Sequence, residues 1–390
     1  MSNKKPNILF LPAWYPNRYD AMFGLFVKNH ALAILPHANI SVIYVQSSVH
    51  NSNTYEVEIN TEEGIYEHFT YYKKCSLPGI ASLINLFRML MAYRMAWKQI
   101  NNEIGKPDLS HAHILTRAGF ISLLLKTFYK IPYVITEHWS RYYSFNDSYN
   151  GYFRKVITKI VVKKANAMST VSNSLKTAMN EAGLQNPNWK IIPNSIDTNI
   201  FVPSKEDNQS SKVRLFHISC FEDKSKNVSG IIRAFAQALQ SNNKLELVMI
   251  GTGMDHKKVV DLASELKIND SIEFTGELTP LEVSRKISSC QFQVLFSNYE
   301  TFAIVIIESL AAGKPVIATE AGAIPEVLPK EYGMLIKPKD EQALSNAILL
   351  MADNYKNYDI EAMRNYAINN YDKPKVGKLL MDFYSQAISN

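Results

Sequence analysis

From Asn7 onward, short β-branched and apolar runs alternate with longer stretches in which apolar residues return every three or four positions. Runs of four to seven residues suit strands buried on both faces, and the wider spacing suits helices laid across them. The predicted strands of the first half are NILFL (7–11), ISVIYV (40–45), LSHAH (109–113), YVITE (133–137), MSTVS (168–172) and KIIPN (190–194). Between Tyr55 and Tyr72 the alternation is strand-like on both sides of Glu62-Glu63-Gly64, which predicts an inserted antiparallel hairpin. The pattern breaks over 193–209, where Pro, Asn, Ser and charge collect, and a linker is expected there. A second series follows in VRLFHIS (213–219), LELVMIG (245–251), SIEFTG (271–276), FQVLFS (292–297), PVIAT (315–319) and GMLI (333–336). The alternation predicts an α/β protein of two doubly wound domains, 1–195 and 196–372. A last helix is expected over 373–390, after the break at Tyr371-Asp-Lys-Pro374. Such sheets bind ligands at the carboxyl ends of their strands, so two facing domains are expected to hold the working site in the cleft between them.

At 390 residues, with 46% apolar and 20% charged residues, the chain can fill two ordinary cores, which excludes disordered and stapled miniature classes. Three widely spaced cysteines, Cys75, Cys220 and Cys290, suggest neither a disulfide framework nor a metal knuckle, and a reducing cytoplasm is the expected compartment. The apolar stretch Ile8–Leu11 is too short for the core of a secretory signal, and no run reaches the roughly 20 clean residues of a membrane span. Charge is uneven: residues 1–195 hold 21 basic against 11 acidic residues, a net +10, whereas 196–390 hold 21 against 25, a net −4. The basic half favours an anionic partner such as a phosphate-linked substrate or anionic lipid. No zinc finger, basic recognition helix or RNA-binding aromatic signature is present, so nucleic acid is not expected.

Gly251-Thr-Gly253 follows a strand but lacks the third glycine of a dinucleotide fingerprint, so a tight turn and a phosphate contact both remain open for Gly251. No GxxxxGKS/T occurs. More informative is Ser297-Asn-Tyr-Glu300-Thr-Phe-Ala-Ile-Val-Ile-Ile-Glu308, where two carboxylates eight apart flank a strand end, a turn and an apolar helix. If the helix begins near Phe302 or Ala303, its free N–H groups can hold a phosphate, with Glu300 at the mouth of the site. Glu308, further along, can accept hydrogen bonds from a ribose diol.

This context, with Gly313-Lys-Pro-Val after the helix, resembles the E-x7-E motif of retaining glycosyltransferases of the GT-B fold, family 4. The resemblance extends in order along nearly the whole chain. It includes Trp14-Tyr-Pro16, Gly24-Leu-Phe-Val-Lys-Asn-His30, Pro107-Asp-Leu-Ser-His111-Ala-His113, Thr136-Glu-His138, Ile192-Pro-Asn194-Ser-Ile-Asp197, Phe274-Thr-Gly276 and Ala321-Gly-Ala-Ile-Pro-Glu326. It implies a GT-B fold of two facing Rossmann-like domains, with the last helix crossing back to the first. It also implies a hexosyltransferase-like activity that moves a sugar from a nucleotide sugar to a glycan or lipid-linked acceptor with retention. The donor is then expected on the second domain and the acceptor on the first. By the same resemblance Glu300 contacts the donor sugar, and Thr301, Phe302, Ala303 and Ile304 present backbone to phosphate. Glu308 holds ribose, Lys226 pairs with the diphosphate, and His138 lies near the reacting sugar. Gly24 lets backbone approach the donor or acceptor, and Gly251 and Thr275 join the donor contacts.

The chain departs from the family six residues before Lys226, where Cys220 stands in place of an arginine. Arg233 or Arg285 are candidate replacements, and Lys224 is a second candidate for the lysine role. His111-Ala-His113 is expected to place its imidazoles on opposite sides of the strand and so not to share an ion. With no Asp-x-Asp present, a metal-free site with no cofactor beyond the nucleotide sugar is expected. Residues 80–100 and 153–164 read as amphipathic helices that pack apolar faces on the sheet. Their cations make the inner face of an anionic membrane a candidate partner and a peripheral location. The alternatives to transfer are a GT-B nucleotide-sugar epimerase, and a non-catalytic nucleotide-sugar-binding protein motivated by Cys220.

Overall fold

The computed structural model describes residues 5–389 except Thr116, Asp147 and 205–211, so the last part of the expected linker, 205–209, lies outside the described residues. The chain divides into two compact units: an N-terminal one running to Ser195 and resuming at Val376, and a C-terminal one, Ile196–Lys375. Each is built on one sheet.

The N-terminal sheet contains β1 (Asn7–Pro12), β2 (Asn39–Ser48), β3 (Tyr55–Asn60), β4 (Tyr66–Lys73), β5 (Leu109–His113), β6 (Tyr133–Glu137), β7 (Ala167–Thr170) and β8 (Trp189–Ile191). Their order is β3-β4-β2-β1-β5-β6-β7-β8, and every pairing is parallel except that of β3 with β4. That pair is the expected hairpin, turned by a 3₁₀ segment at Glu62–Gly64. On edge strand β3, Glu56 and Glu58 pair with Arg18 at 2.9 and 2.8 Å, which puts charge where another chain would otherwise add a strand. The C-terminal sheet contains β9 (Val213–Ile218), β10 (Leu245–Ile250), β11 (Ile272–Gly276), β12 (Phe292–Leu295), β13 (Val316–Thr319) and β14 (Gly333–Ile336). It is parallel throughout, in the order β11-β10-β9-β12-β13-β14.

Strands end earlier than the apolar pattern does where a side chain or a proline takes over. MSTVS stops as a strand at Thr170 because the Ser172 hydroxyl accepts from the Leu175 N–H and caps the helix Asn173–Glu181. KIIPN stops at Ile191, just ahead of Pro193, which has no N–H to give a ladder.

The apolar faces meet in one core per unit. In the N-terminal unit, Ile8, Phe10, Val42, Leu109 and Val134 from the strands pack with Val27 and Ile34 from the helix Leu25–Ile34. Val376, Leu380, Phe383 and Tyr384 of the last helix, Lys373–Ser389, join that same core. Each large apolar side chain so buried contributes about 1.5–3 kcal/mol before entropy is counted.

The two amphipathic helices pack only in part, contrary to expectation. In Ala81–Glu103 the second half buries Ala92, Tyr93, Ala96 and Trp97, while Leu83 and Phe87 stay 69% and 64% exposed. In Tyr152–Lys164 only Thr158, Val161 and Val162 are buried, and Tyr152 and Phe153 are about four-fifths exposed. Both segments are helical, as their 3.6-residue period predicts. The stripe of apolar residues is simply wider than the neighbouring elements that could cover it.

The last helix sits tight against the first. A Cβ at Gly377 would lie 2.2 Å from the Ala33 carbonyl oxygen, so this approach requires glycine. Gly377→Val is expected to destabilise the N-terminal unit by about 1–3 kcal/mol, read as a lower Tm in scanning calorimetry. An unchanged Tm would mean that the helix end is not packed as described.

Candidate active site

The six strands of the C-terminal sheet reverse their order between β9 and β12, the place where loops leave in opposite directions and open a crevice at the strands' carboxyl ends. The loop after β9 carries Lys226 at the end of the short helix Asp223–Lys226. The loop after β12 carries Glu300. The two side chains meet there, with Lys226 Nζ 2.5 Å from Glu300 Oε1. Ser297 Oγ donates to the same oxygen at 2.9 Å. Asn298 ties the loops together, its N–H donating to Ser225 O at 2.7 Å and its amide to Lys224 O at 3.0 Å. Burial alone would lower the Lys226 ammonium, but the Glu300 charge and hydrogen bond outweigh it and hold the lysine above its ordinary value. It is therefore a fixed positive charge at neutral pH.

Behind Glu300 stands the loop before residues 324–327. The Ala323 N–H donates to Glu300 O at 3.1 Å, and a Cβ on Gly322, whose φ is 57°, would lie 2.0 Å from that oxygen. Only glycine allows this contact. Ahead of it, the helix Ile304–Ala311 starts one or two residues later than the sequence suggests, because Ala303 is left-handed at φ 62° and cannot be the first helical residue. Such a conformation costs a non-glycine residue about 1 kcal/mol or more. No side chain caps this end, so the first amides of the helix keep their N–H groups and dipole for a ligand.

Glu308 lies one turn inside that helix. It is partly buried, and no hydrogen bond reaches its carboxylate among the described residues, so burial pushes it up to about 7. A carboxylate with vacant acceptor sites beside a helix N-terminus suits a ligand bearing both hydroxyl groups and phosphate.

The remaining residues singled out for donor contacts are placed less directly. Gly251 has a φ of 124°, and its missing Cβ would lie 2.0 Å from Ser219 O, so the tight-turn reading is sufficient to explain this glycine. The Thr275 hydroxyl donates to Gly276 O at 2.9 Å. Cys220 is exposed, and its arginine is not replaced by Arg233, whose guanidinium is engaged by Glu341 in three hydrogen bonds. Arg285 lies on the helix Pro280–Ser288, and Lys224 is exposed beside Lys226.

In the N-terminal unit the reversal falls between β1 and β5. Gly24 begins the first helix at φ 70°, and a Cβ there would lie 2.4 Å from the Trp14 carbonyl. His138, just past β6, is buried with His113 Nδ1 at 3.2 Å from its Nε2 and the Phe26 ring tilted against it, 4.6 Å between centroids. Burial lowers its pKa well below the ordinary value, which keeps the ring neutral. Glu137 supports it from beneath. Its buried carboxylate accepts the N–H groups of Leu115, His138 and Trp139 at 3.0, 2.8 and 2.9 Å, pinning two strand ends.

The expectation that His111 and His113 face opposite sides is wrong. Residues two apart on a strand share a face, and the ring centroids are 3.8 Å apart. His111 is held between Tyr384 Oη at 2.8 Å and Thr136 Oγ1 at 2.7 Å, whereas His113 faces His138. Sequence reading also passed over Gly322, Ser297 and Glu137 as organisers of the site. For Glu137 a signal existed, since an acid ends an otherwise uncharged strand.

Residues 202–371 match the family model described as Glycosyl transferases group 1, and residues 52–200 match the one described as Glycosyltransferase Family 4. An uncharacterized glycosyltransferase of Methanocaldococcus jannaschii is 26% identical over 325 residues, which is 82% of this chain and 86% of that protein. N-acetyl-alpha-D-glucosaminyl L-malate synthase of Bacillus anthracis is 28% identical over 204 residues, 49% of this chain and 52% of that protein. Among solved structures, sucrose-phosphate synthase from Thermosynechococcus elongatus superposes with a TM-score of 0.77 at 17% identity, covering 98% of this chain and 99% of that one. HepE of Anabaena, solved with UDP, gives a TM-score of 0.75 at 17% identity, covering 97% and 99%. At such identities the structural likeness shows the fold, which is GT-B.

The raised Glu308 carboxyl generates a pH prediction. Between its unfolded value near 4.5 and about 7 the folded chain binds the extra proton, so its contribution to stability is present at low pH and lost as pH rises through that window. Glu308→Gln is expected to gain stability over the wild type at pH 8 relative to pH 5, by about 1–3 kcal/mol in denaturant titrations without ligand. Parallel pH curves for the two proteins would show that Glu308 does not titrate in that window.

Proposed function

The chain belongs to the glycosyltransferases of group 1, family 4, and from that premise we propose that it transfers a sugar, with retention, from a nucleotide-diphosphate sugar to a glycan or lipid-linked acceptor in polysaccharide or glycoconjugate assembly. The observation that carries the reading is the joining of Lys226 and Glu300 at the strand-order reversal, directly before a helix whose open N-terminus leads to a partnerless Glu308. A diphosphate needs positive charge and N–H donors, a ribose needs a carboxylate acceptor, and a sugar needs a polar contact at the reacting end. Lys226 brings the charge from the loop after β9, and the run from Glu300 to Glu308 supplies the rest.

In this reading the donor phosphates take hydrogen bonds from the amides of Thr301 to Ile304 and charge from Lys226, with no bridging metal. Glu308 accepts from the ribose hydroxyls. Glu300, relieved of part of its bond to Lys226 when phosphate arrives, turns its carboxylate to the donor sugar. Gly251 and Thr275, at the carboxyl ends of β10 and β11, border the donor, and Gly24 leaves room for backbone to approach a substrate on the N-terminal unit. The bond from the anomeric carbon to the phosphate oxygen breaks as the acceptor oxygen bonds to the same face of that carbon. The acceptor proton passes to the departing phosphate. Neutral His138 hydrogen-bonds a sugar hydroxyl, and the fixed charge of Lys226 stabilises the leaving diphosphate. HepE was solved with UDP-glucose as well as with UDP, which makes uridine nucleotides the first donors to try. The absent arginine at Cys220 favours one rival reading, a protein that binds nucleotide sugar without turning it over.

The acceptor side draws on the exposed apolar residues of the N-terminal unit. Tyr152, Phe153, Ile157 and Ile160 stand out of the helix Tyr152–Lys164 among Arg154, Lys155, Lys159 and Lys163. Aromatic and aliphatic tips ringed by cations match an anionic bilayer, in which tips insert and cations meet head-group phosphates. We assign this face to the inner membrane surface, where a lipid-linked acceptor would be presented. No helix among the described residues is long and apolar enough to cross a membrane, and the proposed contact is a peripheral one.

Calorimetric titration with UDP, GDP, ADP and CMP sugars is expected to find one nucleotide class that binds equally with and without EDTA. Glu308→Ala should weaken that binding tenfold or more, about 1.4 kcal/mol, while Glu300→Gln lowers kcat more than affinity. Wild-type behaviour of both variants removes the proposed site. Donor binding without product for any acceptor selects the non-catalytic reading. For the surface, the wild type is expected to sediment with phosphatidylglycerol vesicles at low salt, and Phe153→Ser with Tyr152→Ser to lose most of that binding. Equal recovery of both proteins in the supernatant disproves docking.

A further inference from the structure

Two loops of the N-terminal unit bring an aromatic surface to the carboxyl ends of its strands. Trp14 stands two residues past β1 and Trp139 two residues past β6, strands that lie on either side of β5. Their ring centroids are 5.1 Å apart and the rings are inclined at 54°, so they do not cover each other face to face. Phe23 and Phe26 adjoin Trp14 at 5.8 and 6.4 Å. All four side chains are only half-buried. The other two tryptophans differ: Trp97 is buried against Tyr129, and Trp189 gives its indole N–H to Thr170 Oγ1 at 3.3 Å. The indole N–H groups of Trp14 and Trp139 make no hydrogen bond among the described residues. The surface is also fixed in place. Gly24 lets the start of the first helix lie against the Trp14 carbonyl, which seats Phe23 and Phe26 beside the indole. Tyr15, next along, donates its hydroxyl to buried Glu67 at 2.5 Å. Glu137 accepts the Trp139 N–H at 2.9 Å, and the Arg141 guanidinium lies on the Trp139 ring with Cζ 3.3 Å from the centroid. Aromatic rings held half-exposed by backbone anchors are ordered before a ligand arrives.

We propose that Trp14 and Trp139 form the binding site for one pyranose ring of the acceptor. A pyranose is amphipathic, with hydroxyls around its rim and an apolar face of C–H bonds. Inclined indoles offer π-surface to that face, and their unengaged N–H groups meet hydroxyls at the rim. An acyl chain would leave those donors unpaired, and a phosphate is repelled by the negative faces of the rings. Phe26 continues the surface to His138, 4.6 Å away between centroids, the residue placed above at the reacting sugar. The assignment of this ring to the acceptor rests on the transferase reading; the affinity for a sugar does not. An acceptor held here is itself a sugar, so the transfer lengthens an existing glycan, and a reaction that places the first sugar must precede it.

The test uses the full chain without donor. Saturation-transfer NMR with irradiation of aromatic protons is expected to label the ring C–H protons of at least one of methyl glucopyranoside, methyl mannopyranoside, methyl galactopyranoside and N-acetylglucosamine. Sorbitol, an open-chain polyol, is expected to stay unlabelled. Trp14→Leu and Trp139→Leu, which keep apolar bulk and remove the π face, should each weaken binding about fivefold or more, while Trp14→Phe retains most of it. The same sugar is expected to change the tryptophan fluorescence, and that change to vanish when Trp14 and Trp139 are both replaced by Phe but to persist in Trp189→Phe. If none of the four sugars is labelled, the proposal is wrong. If the leucine variants, folded by their Tm, bind as the wild type does, or the fluorescence change survives the double replacement, the sugar lies elsewhere and the proposal also fails. Sugar labelling without any nucleotide binding removes the transferase reading and keeps the sugar site; nucleotide binding without sugar labelling does the reverse.

Discussion

A parallel strand can rejoin its sheet only by a crossover, and a chain that winds first to one side and then to the other must leave a place where two neighbouring strands send their loops apart. In the C-terminal sheet that place is between β9 and β12, and it is what brings Lys226 to Glu300 across 74 residues of sequence. The other groups at the site follow from this meeting. Ser297 and Asn298 hold the two loops in register, and the carbonyl of Glu300 receives the Ala323 amide because Gly322 lets the third loop come close. Left-handed Ala303 then sets the start of the next helix, so that its free amides follow directly on the carboxylate.

The pair is poised rather than spent. Lys226 and Glu300 are both largely withdrawn from water, so parting them is costly unless another negative charge takes over the ammonium. A ligand with two phosphates brings charge enough to compete for the ammonium. Glu308 is the opposite case, a carboxylate with no hydrogen bond among the described residues, whose titration burial pushes up to about 7. The two glutamates of one motif thus have different surroundings, Glu300 paired with Lys226 and Ser297 and Glu308 set in an apolar helix.

The N-terminal unit solves a different problem, that of burying polar side chains at strand ends. Glu137 answers three backbone amides, and His111 is satisfied on both sides, by Tyr384 and by Thr136, which in turn bonds Ser169. The last helix is part of this arrangement, since Tyr384 reaches His111 and Gly377 permits the close contact with Ala33 that seats it.

The sequence by itself determined the element order, the inserted hairpin, the two α/β series and the pair Glu300 and Glu308, because period-2 and period-3.6 patterns and local spacing are properties of contiguous residues. Local pattern does not settle orientation or cover: His111 and His113 lie on one face of their strand, and the apolar stripe of Tyr152–Lys164 stays largely exposed. Only the tertiary structure decided which distant side chains touch. Lys226 with Glu300, Glu137 under His138, Gly322 against Glu300 and His113 against His138 each join segments whose approach is set by strand order and crossover. Strand order is the result of packing over the whole sheet, and no local window of sequence encodes it.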